Sequence, residues 1–76
     1  MILTSYTKYC LEQGDKLNIF VAVERATPAQ LQALTNCDAK YDTQKCCWFV
    51  EMTKDNYKAK CKALRCLQMA FFTKVK

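Results

Sequence analysis

Hydrophobic and polar residues alternate in the first third of the chain. Residues 3–11 alternate through Thr and Tyr, which favour strands. Residues 13–15 supply turn chemistry, and the β-branched positions of residues 17–23 then recur every second residue. The pattern predicts an N-terminal β-hairpin. A helix over residues 5–13 that ends at Gly14 is the competing interpretation, because Tyr6, Tyr9 and Gln13 also lie at helical spacing.

A helix start follows at Thr27 and Pro28. Thr accepts a backbone hydrogen bond as an N-cap residue, and Pro at the first helical position loses no donor that the helix needs. Leu31 and Leu34 then share one side of a short helix over residues 28–36. The polar residues 38–45 that come next are typical of a loop.

Residues 46–52 alternate again, which predicts a strand with one buried and one partly covered face. One face holds Cys46, Trp48, Val50 and Met52, and the other holds Cys47, Phe49 and Glu51.

The longest helical pattern covers residues 54–68. Its apolar positions recur every three or four residues, at Tyr57, Cys61, Leu64, Leu67 and Phe71. Lys60 falls within this apolar arc, so it is expected at the edge of the packing. Beyond Gln68 the alternation permits a short final strand that reaches Lys76.

Together these elements predict a single α+β domain over residues 1–76. A mainly antiparallel sheet of three or four strands, including the N-terminal hairpin, is covered on one face by the helices 28–36 and 54–68. With 76 residues and 51% hydrophobic composition, the chain has material for one small core, and this composition argues against disorder. No repeat or linker marks an internal boundary.

Six cysteines suggest either a disulfide scaffold, a metal site or packed thiols. They are Cys10, Cys37, Cys46, Cys47, Cys61 and Cys66. A disulfide scaffold normally relies on Gly and Pro for its turns, and this chain has one of each. Zinc is disfavoured because there is no Cys-x-x-Cys pair and no His. Reduced, packed thiols in the cytoplasm are therefore predicted, with a disulfide framework as the alternative.

The net charge of +5 is concentrated near the C-terminus. Seven of the twelve basic residues, but one of the seven acidic residues, lie from residue 54 onward. On the predicted helix Lys58, Lys62 and Arg65 share the polar side. This row is either a solvated face, a surface for an acidic protein, or a surface for phosphates.

Phenylalanines supply a second candidate surface. A two-layer domain leaves one sheet face open, and Phe20, Phe49 and one of Phe71 or Phe72 point to it if the strands have the right register. An exposed apolar patch of this kind marks a partner site or a dimer contact. Phe20, Phe49 and Phe72 are therefore the candidate protein-binding residues.

Catalysis is not expected, since the chain has no His, no Gly-rich phosphate loop and no suggestive pair of carboxylates. No cofactor, metal or membrane partner is expected either. We predict a small interaction protein that binds a larger protein or other macromolecule and inhibits or modulates it, in the manner of the small inhibitors that phages and mobile elements direct at host systems. A homodimer is a further option, and nucleic-acid binding through the basic helix is the alternative function.

Overall fold

A computed structural model describes residues 1–75 of the chain. Three helices and four strands follow one another as α1 (Ser5–Glu12), β1 (Leu17–Val21), α2 (Pro28–Asn36), β2 (Lys40–Asp42), β3 (Cys47–Met52), α3 (Tyr57–Ala63) and β4 (Met69–Lys74). The prediction of helices combined with a mainly antiparallel sheet of three or four strands is confirmed, and the sheet has four strands. Lys76, the last residue of the predicted final strand and basic tail, lies outside the described residues.

The predicted N-terminal hairpin is wrong, because the first segment is the helix α1. Thr4 caps it by accepting a hydrogen bond from the backbone N–H of Thr7 at 3.2 Å. The buried residues Leu3, Thr7, Cys10 and Leu11 follow the helical period, whereas a strand would have placed Thr7 and Tyr9 beside the two leucines. Gly14 follows the helix with φ +98°, a conformation that other residues adopt only with strain.

The helix α2 matches its predicted bounds. Thr27 Oγ1 accepts from the backbone N–H of Gln30 at 3.2 Å, and the Gln30 side chain accepts from the backbone N–H of Thr27 at 2.9 Å. This reciprocal pair is a capping box, and Pro28 opens the helix. Leu34 is fully buried, but Leu31 is 39% exposed, so only one of the two leucines contributes fully to the core.

The polar residues 38–45 are not all loop. Residues 40–42 form the short strand β2, which pairs antiparallel with β3 in the register Lys40 with Phe49 and Asp42 with Cys47. The connecting turn is held by Asp42 Oδ1, which accepts from the backbone N–H groups of Gln44 and Lys45 at 2.9 Å each. Three residues are too few for an alternating pattern to stand out, which is why the sequence predicted a loop.

The predicted long C-terminal helix is also wrong in length. The helix α3 has only seven residues, and residues 64–68 turn back toward the sheet. Leu64 and Leu67 are buried as their spacing suggested, but they reach the core from this turn. The chain then forms β4, which gains backbone hydrogen bonds with β1 that a continued helix would not have made.

The strands lie in the order β2-β3-β1-β4, and each neighbouring pair is antiparallel. The units β1-α2-β2 and β3-α3-β4 therefore interleave, so that each is split by a strand of the other. This is the split β-α-β arrangement. It places β1 and β3 in the centre of the sheet and β2 and β4 at its edges.

The sheet has one covered face and one open face. The covered face carries Leu17, Ile19 and Val21 from β1, with Val50 and Met52 from β3. All three helices and the N-terminal segment pack there and complete the core with Met1, Leu3, Cys10, Leu11, Leu34, Cys37, Tyr57, Leu64 and Leu67. We call the opposite surface of the sheet the open face.

Two further features secure the packing. The Met1 ammonium nitrogen donates to the carbonyl oxygens of Cys61 and Leu64 at 2.9 Å each, at the C-terminal end of α3. Lys60 Nζ donates to the carbonyl oxygen of Glu51 at 2.8 Å, where β3 extends beyond β2. Lys60 thus lies at the edge of the packing, as predicted.

Within residues 1–75, none of the helices has the length and apolarity to cross a membrane.

Candidate binding face

Strand register decides which side chains share the open face. The alternation of the four paired strands places nine residues there: Asn18, Phe20, Lys40, Asp42, Cys47, Phe49, Glu51, Phe71 and Thr73. None of the nine belongs to the core on the covered face or packs directly against it. The open face therefore combines aromatic, amide, hydroxyl and charged groups on one surface.

Three phenylalanines form a row across the centre of this face. Phe20 on β1 is paired with Phe49 on β3 and with Phe71 on β4. The ring centroids of Phe20 and Phe49 are 5.2 Å apart, and those of Phe20 and Phe71 are 4.6 Å apart with an interplanar angle of 10°. Such distances are typical of aromatic pairs that attract one another. We call Phe49, Phe20 and Phe71 the aromatic row.

The members of the aromatic row differ in accessibility. Phe20 is only 2% exposed, since its two neighbours flank it, whereas Phe71 is 40% exposed and Phe49 is partly buried. Phe20 thus supports the row from its centre, and the two outer rings are the ones that a partner can reach.

Phe72 does not belong to this face, so its inclusion among the candidate residues is corrected in favour of Phe71. Phe72 is paired with Ile19 on the covered side, packs against the core, and lies with its ring centroid 6.0 Å from that of Tyr6. A register shift places Ala70 as an extra residue between the pairs formed by Phe71 and Met69. The resulting bulge lets both Phe72 and Met69 face the core.

Two lysines accompany the aromatic row. Lys45, in the turn between β2 and β3, holds its Nζ 5.7 Å from the centroid of the Phe20 ring, within the range of a cation–π contact. Lys40 is paired with Phe49 and is exposed. No sequence pattern pointed to either residue, because a lysine in a turn gains its position only when the two strands pair.

A cavity of about 350 Å³ adjoins the row at Phe49. Its lining consists of two asparagines, two acidic residues, two lysines and two apolar residues: Asn18, Asn56, Asp38, Glu51, Lys40, Lys60, Phe49 and Val75. Its volume is at the lower end of the range for small-molecule sites. The walls present hydrogen-bond donors and acceptors beside one aromatic ring.

The basic residues predicted as one row are only partly together. Lys58 and Lys62 are exposed and lie one turn apart on α3, so they face the same direction. Arg65 follows the end of α3 and lines a different cavity, with Ile2, Leu67, Gln68 and Met69. The shortened helix therefore separates Arg65 from the two lysines.

A further cavity of about 340 Å³ lies between the N-terminal segment, α1 and α3. Its walls are Met1, Ile2, Leu3, Lys8, Tyr57, Lys58 and Cys61. Burial raises the pKa of the Cys61 thiol above its usual 9.0, although the Met1 ammonium and Lys8 act in the opposite direction. Cys61 is consequently protonated at neutral pH and is a poor nucleophile.

All six cysteines are free thiols in the structure. Cys10 and Cys37 are buried as small apolar residues, but Cys46 and Cys66 are exposed rather than packed. Cys46 has φ +53° in the turn before β3, and Cys66 lies in the turn after α3. In the part of the chain that the structure describes, no group of three Cys, Asp or Glu side chains is arranged to hold a metal ion.

Comparison of the chain with protein-family models, with curated proteins and with solved structures finds no match in any of the three. Functional inference for this chain therefore rests on its own residues and their geometry.

Proposed function

We propose that this chain is a small non-enzymatic interaction protein that binds a larger macromolecule through the open face and thereby inhibits or modulates it. The aromatic row is the observation that carries the proposal. A solvated sheet face is usually polar, whereas this one carries three phenylalanines side by side, of which Phe71 and Phe49 are accessible. Exposed aromatic side chains at the centre of a surface are typical of binding sites.

The position of the helices supports a role for the open face in binding a partner rather than in forming the core. The core on the covered face already includes residues from all three helices and from the N-terminal segment. Phe71 nevertheless remains 40% exposed on the other side. Burying it against a partner would remove apolar area from water, at about 25 cal/mol per Å².

In this proposal the protein acts by occupying a surface of its target rather than by chemistry on it. We place it in the cytoplasm, since six free thiols suit a reducing compartment. A second copy of the chain is an alternative occupant of the same surface.

The proposal is tested by affinity capture from cell lysate, with a C-terminal tag because the Met1 ammonium group is engaged in hydrogen bonds. Wild type is compared with Phe71→Ser and with Tyr9→Ser, which removes an aromatic ring that is 61% exposed on α1. We expect a stoichiometric partner with wild type and Tyr9→Ser that is lost with Phe71→Ser. Equal recovery by all three proteins would show that the open face is not the binding surface.

Nucleic-acid binding through α3 is the second candidate function, and the pair Lys58 and Lys62 favours it. Two exposed ammonium groups one helical turn apart can each contact a phosphate of a duplex. Neutralising both with Gln should then lower the slope of log K against log salt by about 1.8, from 0.9 for each contact. The control is Lys16→Gln/Lys74→Gln, which changes the net charge equally. A slope that is the same for both double variants would argue against this function.

A further inference from the structure

We propose that the open face binds single-stranded nucleic acid, with unpaired bases stacked on Phe71 and Phe49. This inference rests on the proposed use of the open face and names the class of its partner. It concerns a different surface from the lysines of α3.

The aromatic row leaves two ring surfaces for stacking. Phe20 is 4.6 Å from Phe71 with an interplanar angle of 10° and 5.2 Å from Phe49, so it covers the inner side of each outer ring. One base can therefore stack on the outer side of each of these two rings. In one class of RNA-binding domain, aromatic residues on the open face of a four-stranded sheet stack with unpaired bases, and such stacking tolerates any base.

Positive charge lies where the phosphates of such a strand would pass. Lys45 holds its ammonium group over the centre of the row, and Lys40 stands next to Phe49 at one end of it. The chain as a whole carries a net charge of +5, which attracts a polyanion at long range. Asp42 and Glu51 share the face, so the attraction is local to the two lysines rather than spread over the surface.

The cavity beside Phe49 favours a nucleic acid over an apolar segment of protein. It brings together the carboxylates of Asp38 and Glu51 and the amides of Asn18 and Asn56 around one ring. The edge of a base presents both donors and acceptors, and carboxylates accept from its exocyclic amino group. An apolar segment that sealed the cavity would remove the carboxylates of Asp38 and Glu51 from water without replacing their hydrogen bonds, which is costly.

The first test measures the fluorescence anisotropy of labelled ten-nucleotide single strands, one RNA and one DNA of mixed sequence, at 50 mM salt. The proteins are wild type, Phe71→Ala and the control Tyr9→Ala, each verified as folded by circular dichroism. Because stacking on an aromatic side chain changes affinity by about 5- to 150-fold per base, we expect a loss of that size for Phe71→Ala and a change within about twofold for Tyr9→Ala. Equal affinities for the two variants would overturn the inference.

The second test separates the open face from α3. Lys45→Gln should lower the salt slope by about 0.7, the value for one phosphate contact of a single strand, whereas Lys62→Gln should leave it unchanged. A loss with Lys62→Gln but not with Lys45→Gln would assign the binding to α3 and overturn the inference.

Two further outcomes distinguish this inference from the proposed function. A duplex of the same sequence should bind more weakly than the single strands, because its bases are already stacked, and equal affinity would overturn the stacking model. Folded wild type that binds neither oligonucleotide, yet captures a protein in a Phe71-dependent manner, would overturn the inference and leave the proposed function standing. If capture also proves independent of Phe71, the proposed function is wrong as well.

Discussion

Phe20 and Phe71 lie in the same aromatic row, yet they differ in what they contribute to the molecule. Phe20 is shielded by its neighbours at 2% exposure, so its ring stabilises the sheet. Phe71 keeps much of its surface in water and is free to contact a partner. A polar substitution at Phe20 is therefore expected to affect the fold strongly, whereas one at Phe71 removes one ring contact with Phe20 and acts mainly on the surface that a partner can reach.

We expect Phe20→Ala to lower the free energy of unfolding by about 3 kcal/mol, the low end for a buried Phe, and Phe71→Ala to lower it by about 1 kcal/mol, the size of an aromatic pair contact. Urea denaturation of both variants measures the difference. Equal losses would mean that the two rings are buried to the same extent.

The cysteines also differ from one another at this scale. Cys46 and Cys66 are exposed, whereas Cys10 and Cys37 are buried, and burial raises the pKa of the Cys37 thiol. The thiolate is the reactive form of cysteine. Cys37 is therefore protected from alkylation both by its burial and by its protonation.

Iodoacetamide at neutral pH should therefore alkylate Cys46 and Cys66 first, and Cys10 and Cys37 only when the protein unfolds. Peptide mass spectrometry of a time course under native conditions gives the order. In a parallel sample unfolded in urea, all four should react at similar rates. Early alkylation of Cys10 in the native protein would contradict the core position of α1.

Three side chains, those of Tyr57, Cys37 and Cys61, make the free energy of unfolding depend on pH in the alkaline range. The pKa of Tyr57 is raised above its usual 10.0, chiefly because its hydroxyl donates a hydrogen bond to Glu12, and burial raises those of Cys37 and Cys61 above 9.0. The unfolded chain gives up these protons first, so the folded state loses relative stability as the pH rises.

The free energy of unfolding should stay constant near neutral pH and fall as the pH rises through 9.0 and then 10.0. Denaturation at a series of pH values measures this. Tyr57→Phe keeps the ring but loses the hydroxyl, so its decline above pH 10.0 should be shallower than that of wild type. Identical declines would exclude a contribution from Tyr57.

At the scale of elements, local capping explains why α2 was predicted with its correct bounds. The Thr27 side chain and the Gln30 side chain each satisfy a backbone N–H of the first turn. Both groups lie within three residues of each other, so the signal is complete in the sequence. The helix α1 has a similar cap at Thr4, but there the alternation of residues 3–11 competed with it.

Thr27→Ala should destabilise the protein by about 1 kcal/mol, because the first turn of α2 loses one acceptor. Thermal unfolding followed by circular dichroism gives the change. Thr43→Ala, in the exposed turn before β3, serves as the matched control and should change stability by less than about 0.5 kcal/mol. A loss at Thr43 equal to that at Thr27 would argue against the capping box.

The short α3 and the strand β4 show the limit of local signals. The spacing of apolar residues predicted a continuous helix over residues 54–68, and the burial of Leu64 and Leu67 agrees with that spacing. The chain turns instead, since the edge of β1 offers hydrogen-bond partners to Met69–Lys74. Such partners lie about fifty residues away in sequence, so no window of the sequence contains them.

At the scale of the whole molecule, one core includes residues from every helix and from every strand except β2. Trp48 packs at its edge, where its ring lies 5.4 Å from that of Tyr41 in a T-shaped arrangement. The three helices have seven to nine residues each, too few to be stable alone in water. Their stability therefore depends on the common core.

Unfolding should accordingly be a single cooperative transition. Trp48 fluorescence reports on the edge of the core and far-ultraviolet circular dichroism reports on the helices, and the two curves in urea should coincide. Curves with separate midpoints would show that the helices melt independently of the sheet.

The sequence by itself determined the class of the fold, the helix α2, and two strands predicted over residues 17–23 and 46–52, which the structure has as 17–21 and 47–52. It also predicted that Phe20 and Phe49 share a face. These features depend on period, caps and β-branched residues, which act over a few positions. The tertiary structure decided that residues 5–12 form a helix, that α3 ends at Ala63, and that Phe71 rather than Phe72 faces outward. It also placed Lys45 over Phe20. The helix α1 depends on its packing against the core, and the position of Lys45 depends on the pairing of β2 with β3. The end of α3 and the direction of Phe71 depend on pairing between the distant strands β1 and β4, where the bulge at Ala70 changes which side of β4 a residue faces.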